Sequence, residues 1–178
     1  TRRIERLEKH LKRLERPDKA DEDGDVWVTE GDEEVAERIE VLIREAEEEL
    51  LVAIAVDGLL TDEVRRALRR ADERGVSITA GSPSEEIRGE LRKLLSNGTV
   101  LETWTWWESH PIQPGAISAI VMPDGRSLLV SADIETSLPG VRKHRALWTD
   151  NRSAPLVGMM RPLLRNAITD GRSQNAPV

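Results

Sequence analysis

Residues 46–83 read AEEELLVAIAVDGLLTDEVRRALRRADERGVSITAGSP, and this stretch contains the pattern that decides the fold. The continuous apolar run from Leu50 to Val56 is typical of a strand that is covered on both faces. A helix follows it, with Thr61 as its N-cap and Gly75 after its last turn. Val76 then opens a second apolar stretch. A strand, a helix and a strand in this order predict a parallel pair joined by a right-handed crossover.

The alternation of strands and helices extends on both sides of this stretch. Before it lie a short strand around Trp27 and a helix with Asp32 as the expected N-cap. After it, the SPSE of residues 82–85 is a capping box that opens a helix, and residues 99–105 return as a strand.

The second half of the chain changes character. Strands are predicted at residues 116–122 and 126–131 around a turn at 123–125, with another at 145–148. A last helix begins at Pro155. The whole pattern predicts an α/β fold, a mixed β-sheet flanked by helices.

The composition excludes several classes of function. The formal net charge is -7, so we do not expect the chain itself to bind nucleic acid. Of its 26 basic residues only five are lysine, a balance that resembles proteins of salt-accumulating haloarchaea. Cysteine is absent, and we find no nucleotide-binding glycine motif and no histidine spacing typical of a metal site, so neither a cofactor nor a metal is predicted. Without an apolar run of membrane-spanning length or a signal peptide, we expect a cytoplasmic protein that does not contact a membrane.

The first 16 residues, TRRIERLEKHLKRLER, carry a narrow apolar stripe. Ile4, Leu7, Leu11 and Leu14 alternate at spacings of three and four, as in a coiled-coil seam. We predict a coiled-coil helix over residues 1–17 that joins two copies in a homodimer. A surface helix packed on its own domain is the alternative, because two heptads are short for a free coiled coil.

The remaining boundaries follow from composition. Residues 18–24 are predicted to be an acidic linker, residues 25–170 the folded domain, and residues 171–178 a flexible tail.

The segment ETWTWWESH holds three of the five tryptophans, Trp104, Trp106 and Trp107. Such a cluster could be core or dimer packing, a platform for nucleic-acid bases, or the wall of a small-molecule site. Base stacking would require a basic track beside the rings, and here acids stand instead. We therefore predict a sugar-binding site that also includes Glu108 and His110, at a strand end where open α/β sheets bind ligands, with core or dimer packing of the tryptophans as the alternative.

Three stretches resemble known families. Residues 46–83 resemble the opening half of phospholipase-D-like domains, and ISAIVMPDGRSLLVSADIE resembles the segment that carries the histidine, lysine and aspartate of that superfamily. The N-terminal heptads and the ALWTD of residues 146–150 resemble the archaeal TrmB regulators, which sense sugars. Those proteins join a winged helix-turn-helix to a phospholipase-D-like effector domain through a coiled-coil helix.

The resemblance also marks what this chain lacks. When the family pattern H-x-K-x4-D is aligned on Asp124, Ile117 takes the place of the histidine and Ala119 that of the lysine. Neither can attack or hold a phosphate, so the resemblance implies a chain that is not an enzyme.

What the resemblance implies instead is an effector-sensing and dimerisation domain. It would bind a sugar or sugar phosphate, and DNA only through a winged-helix domain that this sequence lacks. Ser131 and Asp133 would lie beside the family's pocket, and Arg145, in the basic run of residues 142–145, would recognise a phosphate. A divergent phosphodiesterase using His110 and His144, or a purely structural dimerisation module, are the alternatives.

Overall fold

A computed structural model of the chain describes residues 18–19, 26–102 and 117–174. Within these ranges the strands form one mixed eight-stranded sheet, and helices lie on both of its faces. None of the helices in these ranges combines the length and apolar character that a membrane span requires.

The first half of the chain supplies five strands and three helices. In chain order they are β1 (Asp18–Lys19), β2 (Trp27–Glu30), α1 (Asp32–Glu45), β3 (Glu49–Ile54), α2 (Asp62–Glu73), β4 (Ser77–Gly81), α3 (Glu85–Leu94) and β5 (Thr99–Leu101), with a 3-10 turn at Asp57–Leu59 before α2. The second half supplies β6 (Ile117–Pro123), β7 (Leu128–Glu135), β8 (Arg142–Thr149) and α4 (Pro155–Gln174).

The strand order is β1-β2-β8-β7-β6-β3-β4-β5. β3, β4 and β5 are parallel, and every other neighbouring pair is antiparallel. Consequently β2, β3, β4, β5 and β7 all end at one edge of the sheet, where β6 and β8 begin. We call this the upper edge and the opposite one the lower edge.

The predicted mixed sheet flanked by helices is confirmed, and so is the parallel arrangement of β3 and β4. β2 runs in the same direction as β3 but is separated from it by β6, β7 and β8. It pairs with β8 instead, with Trp27 opposite Trp148. The two indoles stack with ring centroids 6.0 Å apart, and the Arg38 guanidinium lies 4.0 Å from the Trp148 ring centroid.

Alternation of side chains along the strands divides the core into two layers. The larger layer lies between the sheet and α1–α3, and we call this side the α1 face. The smaller layer lies under α4 on the α4 face, and its buried strand residues come from β3, β5, β6 and the start of β7: Leu51, Ala53, Leu101, Ile120, Met122 and Leu128. β3, the buried strand predicted from the apolar run of residues 50–56, contributes side chains to both layers.

Helix ends differ from the predicted ones in two places. Ser84, not Ser82, caps α3, because its side chain accepts a hydrogen bond from Ile87 N, while Ser82 Oγ accepts one from Ser84 N. Gly31, with φ of 107°, precedes α1, and Asp32 is its first helical residue. The predicted Thr61 cap of α2 and the positive φ of Gly75 are confirmed.

The chain ends are also organised differently from the prediction. Two residues of the predicted linker 18–24 form β1, which pairs with β2 at the sheet edge. α4 continues to Gln174, past the expected end of the domain at residue 170. The predicted coiled-coil residues Ile4, Leu7, Leu11 and Leu14 lie outside the described residues.

Candidate functional site

Three polar side chains are joined by hydrogen bonds at the upper edge, on the α1 face. The Oγ atoms of Ser118 and Ser131 are 2.6 Å apart, and His144 Nδ1 lies 3.1 Å from Ser118 Oγ. Both serines are fully buried, whereas His144 is partly exposed. The register of β6 shifts between Ile117 and Ala119, and this irregularity lies at Ser118. We call these three residues the Ser–His cluster.

The Ser–His cluster is bordered by a carboxylate that solvent can reach. Asp133 pairs with His144 across β7 and β8, and its side chain is 31% exposed. Arg142 holds it, donating from Nε to the Asp133 carboxylate at 2.9 Å and from Nη2 to the Asp133 carbonyl at 2.9 Å. On the other side, the Asp32 carboxylate accepts from His144 N at 3.0 Å. The upper edge therefore presents carboxylates and hydroxyls around a partly exposed imidazole.

Arg145, which the sequence assigned to the same site, points to the α4 face. Its Nε lies 3.3 Å from Glu30, which also binds Lys143 at 2.6 Å. The hydrogen bond from Lys143 is the main cause that keeps the pKa of Glu30 below its ordinary value; burial opposes it, and the charges of Lys143 and Arg145 add to it. Asp133 pairs with His144, and successive residues of a strand face opposite sides of a sheet, so Arg145 and Asp133 lie on different faces.

Two of the three positions that carry the phosphoryl-transfer side chains in the resembling superfamily are apolar here. Ala119 is fully buried in the core of the α1 face, and Ile117 packs against the α4 layer. Asp124 lies at the lower edge, where its carboxylate accepts hydrogen bonds from the backbone N of Glu47, Glu48 and Glu49.

The Asp124 contacts are structural, and they change its acidity. Burial raises its pKa, but the three backbone hydrogen bonds outweigh that effect and hold the pKa of Asp124 below its ordinary value. Asp124 and Gly125 have φ of 53° and 59°, as the predicted turn between β6 and β7 requires.

The helices that begin at the upper edge already have negative charge at their N-termini. α1 starts with Asp32, Glu33 and Glu34, α2 with Asp62 and Glu63, and α3 with Glu85 and Glu86. These carboxylates occupy the ends where the helix dipole would otherwise attract an anionic ligand. The edge is therefore poorly suited to a phosphate.

A buried arginine ties together the ends of β4 and β5 at this edge. Arg88 Nη1 donates to the carbonyls of Ser82, at 2.9 Å, and Glu102, at 3.2 Å, while Nη2 bonds to the Glu85 carboxylate. Its side chain is 8% exposed. Glu102 is the first residue of the ETWTWWESH segment and the last one described before Ile117, and Arg88 holds its carbonyl in place.

Sequence reasoning found part of this site and missed part. It named Ser131 and Asp133, and the structure brings both beside His144. It missed Ser118 and Arg88; the signal for Ser118 was its place between the two positions where the superfamily has histidine and lysine. Nothing in the sequence pattern marked Arg88, because a single arginine on a helix is normally exposed.

The other predicted site residues lie outside the described residues: Trp104, Trp106, Trp107, Glu108 and His110. Among the residues that the structure describes, no group of three His, Asp or Glu side chains is arranged to hold a metal ion.

Comparison with known proteins finds similarity to one family of regulators and to several solved structures. Residues 25–94 match the family model for the N-terminal subdomain of the effector-binding domain of the transcriptional regulator TrmB. The fold of the chain is also similar to that of TrmBL2, an archaeal chromatin protein whose structure shows a novel mode of DNA binding, with a TM-score of 0.51 and 14% identity. This match covers 95% of the present chain and 61% of TrmBL2, so the chain spans about three fifths of that protein's length.

Two further structures share the fold. NucT from Helicobacter pylori matches with a TM-score of 0.57 and 11% identity, covering 81% of this chain and 95% of NucT. Nuc from Salmonella typhimurium, a phospholipase D family member, matches with a TM-score of 0.53 and 12% identity, covering 82% of this chain and 96% of Nuc. No curated protein sequence matches the chain. The chain therefore has a phospholipase-D-like fold.

Proposed function

We propose that this chain is the non-catalytic effector-sensing domain of a TrmB-like transcription regulator. It binds a sugar at the upper edge and thereby controls DNA binding by a winged-helix domain elsewhere in the intact regulator. The observation that carries the proposal is the presence of apolar side chains, the partly buried Ile117 and the buried Ala119, at the phosphate-attacking positions next to the polar Ser–His cluster. A nucleophile and a cation are lost, while groups that can hydrogen-bond a ligand remain.

The charges at the upper edge favour a neutral sugar over a sugar phosphate. In the run of residues 142–145, Arg142 and His144 face the α1 side, whereas Lys143 and Arg145 face the α4 side. Each cation of the run is already within 4 Å of a carboxylate, and the run cannot converge on one anion. Carboxylates at three helix N-termini add repulsion. Hydroxyl groups of a polyol, in contrast, can donate to Asp133.

The described residues on either side of the tryptophans lie at the upper edge, so the tryptophan segment remains part of the proposal. Glu102 precedes it at the end of β5 and Ile117 follows it at the start of β6, and both lie at the upper edge. The prediction that Trp104, Trp106 or Trp107 forms an apolar wall against the sugar C–H groups is consistent with these attachment points. Glu108 and His110 are expected to supply further hydrogen bonds.

Titration calorimetry with neutral sugars and the matching sugar phosphates tests the proposal. We expect one neutral sugar to bind, its phosphate ester to bind at least tenfold more weakly, and Asp133→Asn to lower the affinity at least tenfold. Asp150→Asn, an exposed carboxylate after β8, is the matched control and should leave the affinity unchanged. Absence of binding across the panel at millimolar concentration, or tighter binding of the phosphate ester, would contradict the proposal.

Fluorescence can locate the sugar. Trp27 and Trp148 stack on each other beneath α1, and replacing both with Phe leaves emission from Trp104, Trp106 and Trp107 alone. A change in that emission on adding the sugar supports the predicted wall. Turnover of a phosphodiester that is lost when His110 or His144 is replaced would instead establish the enzymatic alternative.

A further inference from the structure

The α4 face of the sheet is only half covered by the described residues. α4 packs over β3, β5, β6 and the start of β7, and none of its buried strand partners comes from β8 or β2. Across the uncovered part runs a row of three paired apolar residues, Val28 on β2, Leu147 on β8 and Val130 on β7. Leu147 is 42% exposed, which is unusual for the middle of a central strand.

A second row and one flank of α4 extend this apolar surface. Ala132 and Ile134 follow Val130 on the same side of β7, and both are only partly buried. On α4, Arg161 contacts Gly125 and Arg165 contacts Glu49, both at the lower edge.

The opposite flank of α4 therefore points up over the sheet. By helical periodicity that flank holds Leu156 and Leu163, and Leu163 is 51% exposed. We call the surface formed by Val28, Val130, Ala132, Ile134, Leu147 and this flank the open α4-face groove. An exposed apolar surface of this kind usually has an occupant.

We propose that residues 1–17 of the same chain dock on the open α4-face groove as a helix, with Ile4, Leu7, Leu11 and Leu14 against the sheet. The attachment point supports this occupant. Residue 17 directly precedes Asp18, and Asp18 is paired with Val28, the first residue of the apolar row. Neighbouring strands are about 4.8 Å apart, so Asp18 lies roughly 10 Å from β8.

The dimensions fit as well. The stripe from Ile4 to Leu14 spans about 15 Å along a helix, at 1.5 Å per residue. On the same face, Val130, Ala132 and Ile134 of β7 extend over about 13 Å, at about 3.3 Å per residue, so this row can carry most of the stripe.

Docking and coiled-coil pairing compete for the same four side chains. A seam of this width cannot face the sheet and a partner helix at once. The short tether gives the sheet face an effective concentration in the millimolar range, which a second copy of the chain reaches only at high protein concentration. The docked arrangement is therefore the main one in dilute solution when no ligand is bound. The argument for docking does not use the proposed sugar binding.

A disulfide test is clean because the chain contains no cysteine. In the full chain, Leu14→Cys and Leu147→Cys are combined and oxidised at micromolar protein concentration. We expect a bridge within one chain in most of the protein. The matched control pairs Leu14→Cys with Arg66→Cys, an exposed position on α2 on the other face, and should form none.

The two other outcomes overturn the proposal. A bridge between two chains would show that a second copy covers the groove, and absence of any bridge would show that residues 1–17 lie elsewhere.

Hydrogen exchange gives a second, independent measurement. Leu147→Asp should speed exchange of the amides of residues 1–17 at least tenfold, while Leu138→Asp, at an exposed position in the β7–β8 turn, should not. Unchanged exchange in the Leu147→Asp protein would also overturn the docking. Sugar titration of the same proteins separates this result from failure of the effector proposal, since neither substitution touches the Ser–His cluster.

Discussion

The hydrogen bond between Ser118 and Ser131 gives the most direct test of the Ser–His cluster. Both hydroxyls are fully buried, and the described partners of Ser118 Oγ are Ser131 Oγ and His144 Nδ1. Ser118→Ala removes both bonds and leaves the Ser131 hydroxyl buried without this partner. The unfolding free energy should fall by about 2 kcal/mol, since an unsatisfied buried polar group costs about 1–3 kcal/mol.

The matching change at Ser131 should cost less. Ser131→Ala leaves Ser118 with its bond to His144, so we expect a loss of about 1 kcal/mol. In the double variant no serine hydroxyl remains unsatisfied, and the loss should be about 2 kcal/mol rather than the sum of the two. The coupling energy is therefore about 1 kcal/mol, within the range found for residues in contact.

Denaturant unfolding at pH 7, followed by tryptophan fluorescence, measures the unfolding free energy of the wild-type protein, the two single variants and the double variant. Ser77→Ala, at an exposed position at the start of β4, serves as the control and should change the unfolding free energy by less than about 0.5 kcal/mol. Losses that add to within about 0.3 kcal/mol would refute the reasoning, because they would mean that the two hydroxyls do not depend on each other.

Three further predictions concern other parts of the fold. Asp124→Asn should lower the unfolding free energy by about 1–3 kcal/mol at pH 7, by weakening the bonds to three backbone amides. Because the pKa of Asp124 is lowered in the folded state, the carboxylate stabilises the fold above its ordinary pKa of 3.8, and this stabilisation is lost as the pH falls through the lowered pKa. The difference in unfolding free energy between the wild-type and Asp124→Asn proteins should therefore shrink toward pH 3 in acid titrations. Arg88→Met should cost about 1–3 kcal/mol in denaturant unfolding, because the carbonyls of two strand ends lose their donor, and a loss below 0.5 kcal/mol would count against that role. Arg38→Gln should cost about 0.5–1 kcal/mol in the same assay, through its lost contact with the Trp148 ring, and Trp148→Phe should reduce the effect of that change.

The sequence was most informative where one physical requirement acts alone. A strand buried on both faces must be apolar throughout, and the run at Leu50–Val56 identified β3 to within two residues. A tight hairpin needs positive φ, and Asp124 and Gly125 supply it. The helix between β3 and β4 had both of its ends marked, by Thr61 and Gly75.

Pairing between strands that are far apart in the chain could not be predicted from the sequence. Nothing local indicates that β2 joins β8, because the strands are more than 100 residues apart and the contact depends on Trp27 meeting Trp148. The same limit applies to Arg145. The basic composition of residues 142–145 suggested an anion site, but the face to which the Arg145 side chain points depends on the register of β8 against β2 and β7, which a local pattern does not contain.

That register also determines how a sugar and the N-terminal helix would influence each other. β8 presents His144 to the Ser–His cluster on one face and Leu147 to the open α4-face groove on the other, three residues apart. A ligand shifts the docking of residues 1–17 only if it binds the docked and undocked forms with different affinity. Linkage then requires the reverse effect with the same factor, and a tenfold coupling corresponds to about 1.4 kcal/mol.

This reciprocity can be measured without the DNA-binding part of a regulator. If the sugar changes the exchange rate of residues 1–17 by some factor, Leu147→Asp, which holds the helix undocked, should change the sugar affinity in the direction that the linkage fixes. A sugar that speeds exchange must bind the Leu147→Asp protein more tightly, and one that slows exchange must bind it more weakly. Identical sugar affinities for the two proteins, together with a sugar-dependent exchange rate, would mean that the exchange rate of residues 1–17 does not report their docking on the open α4-face groove.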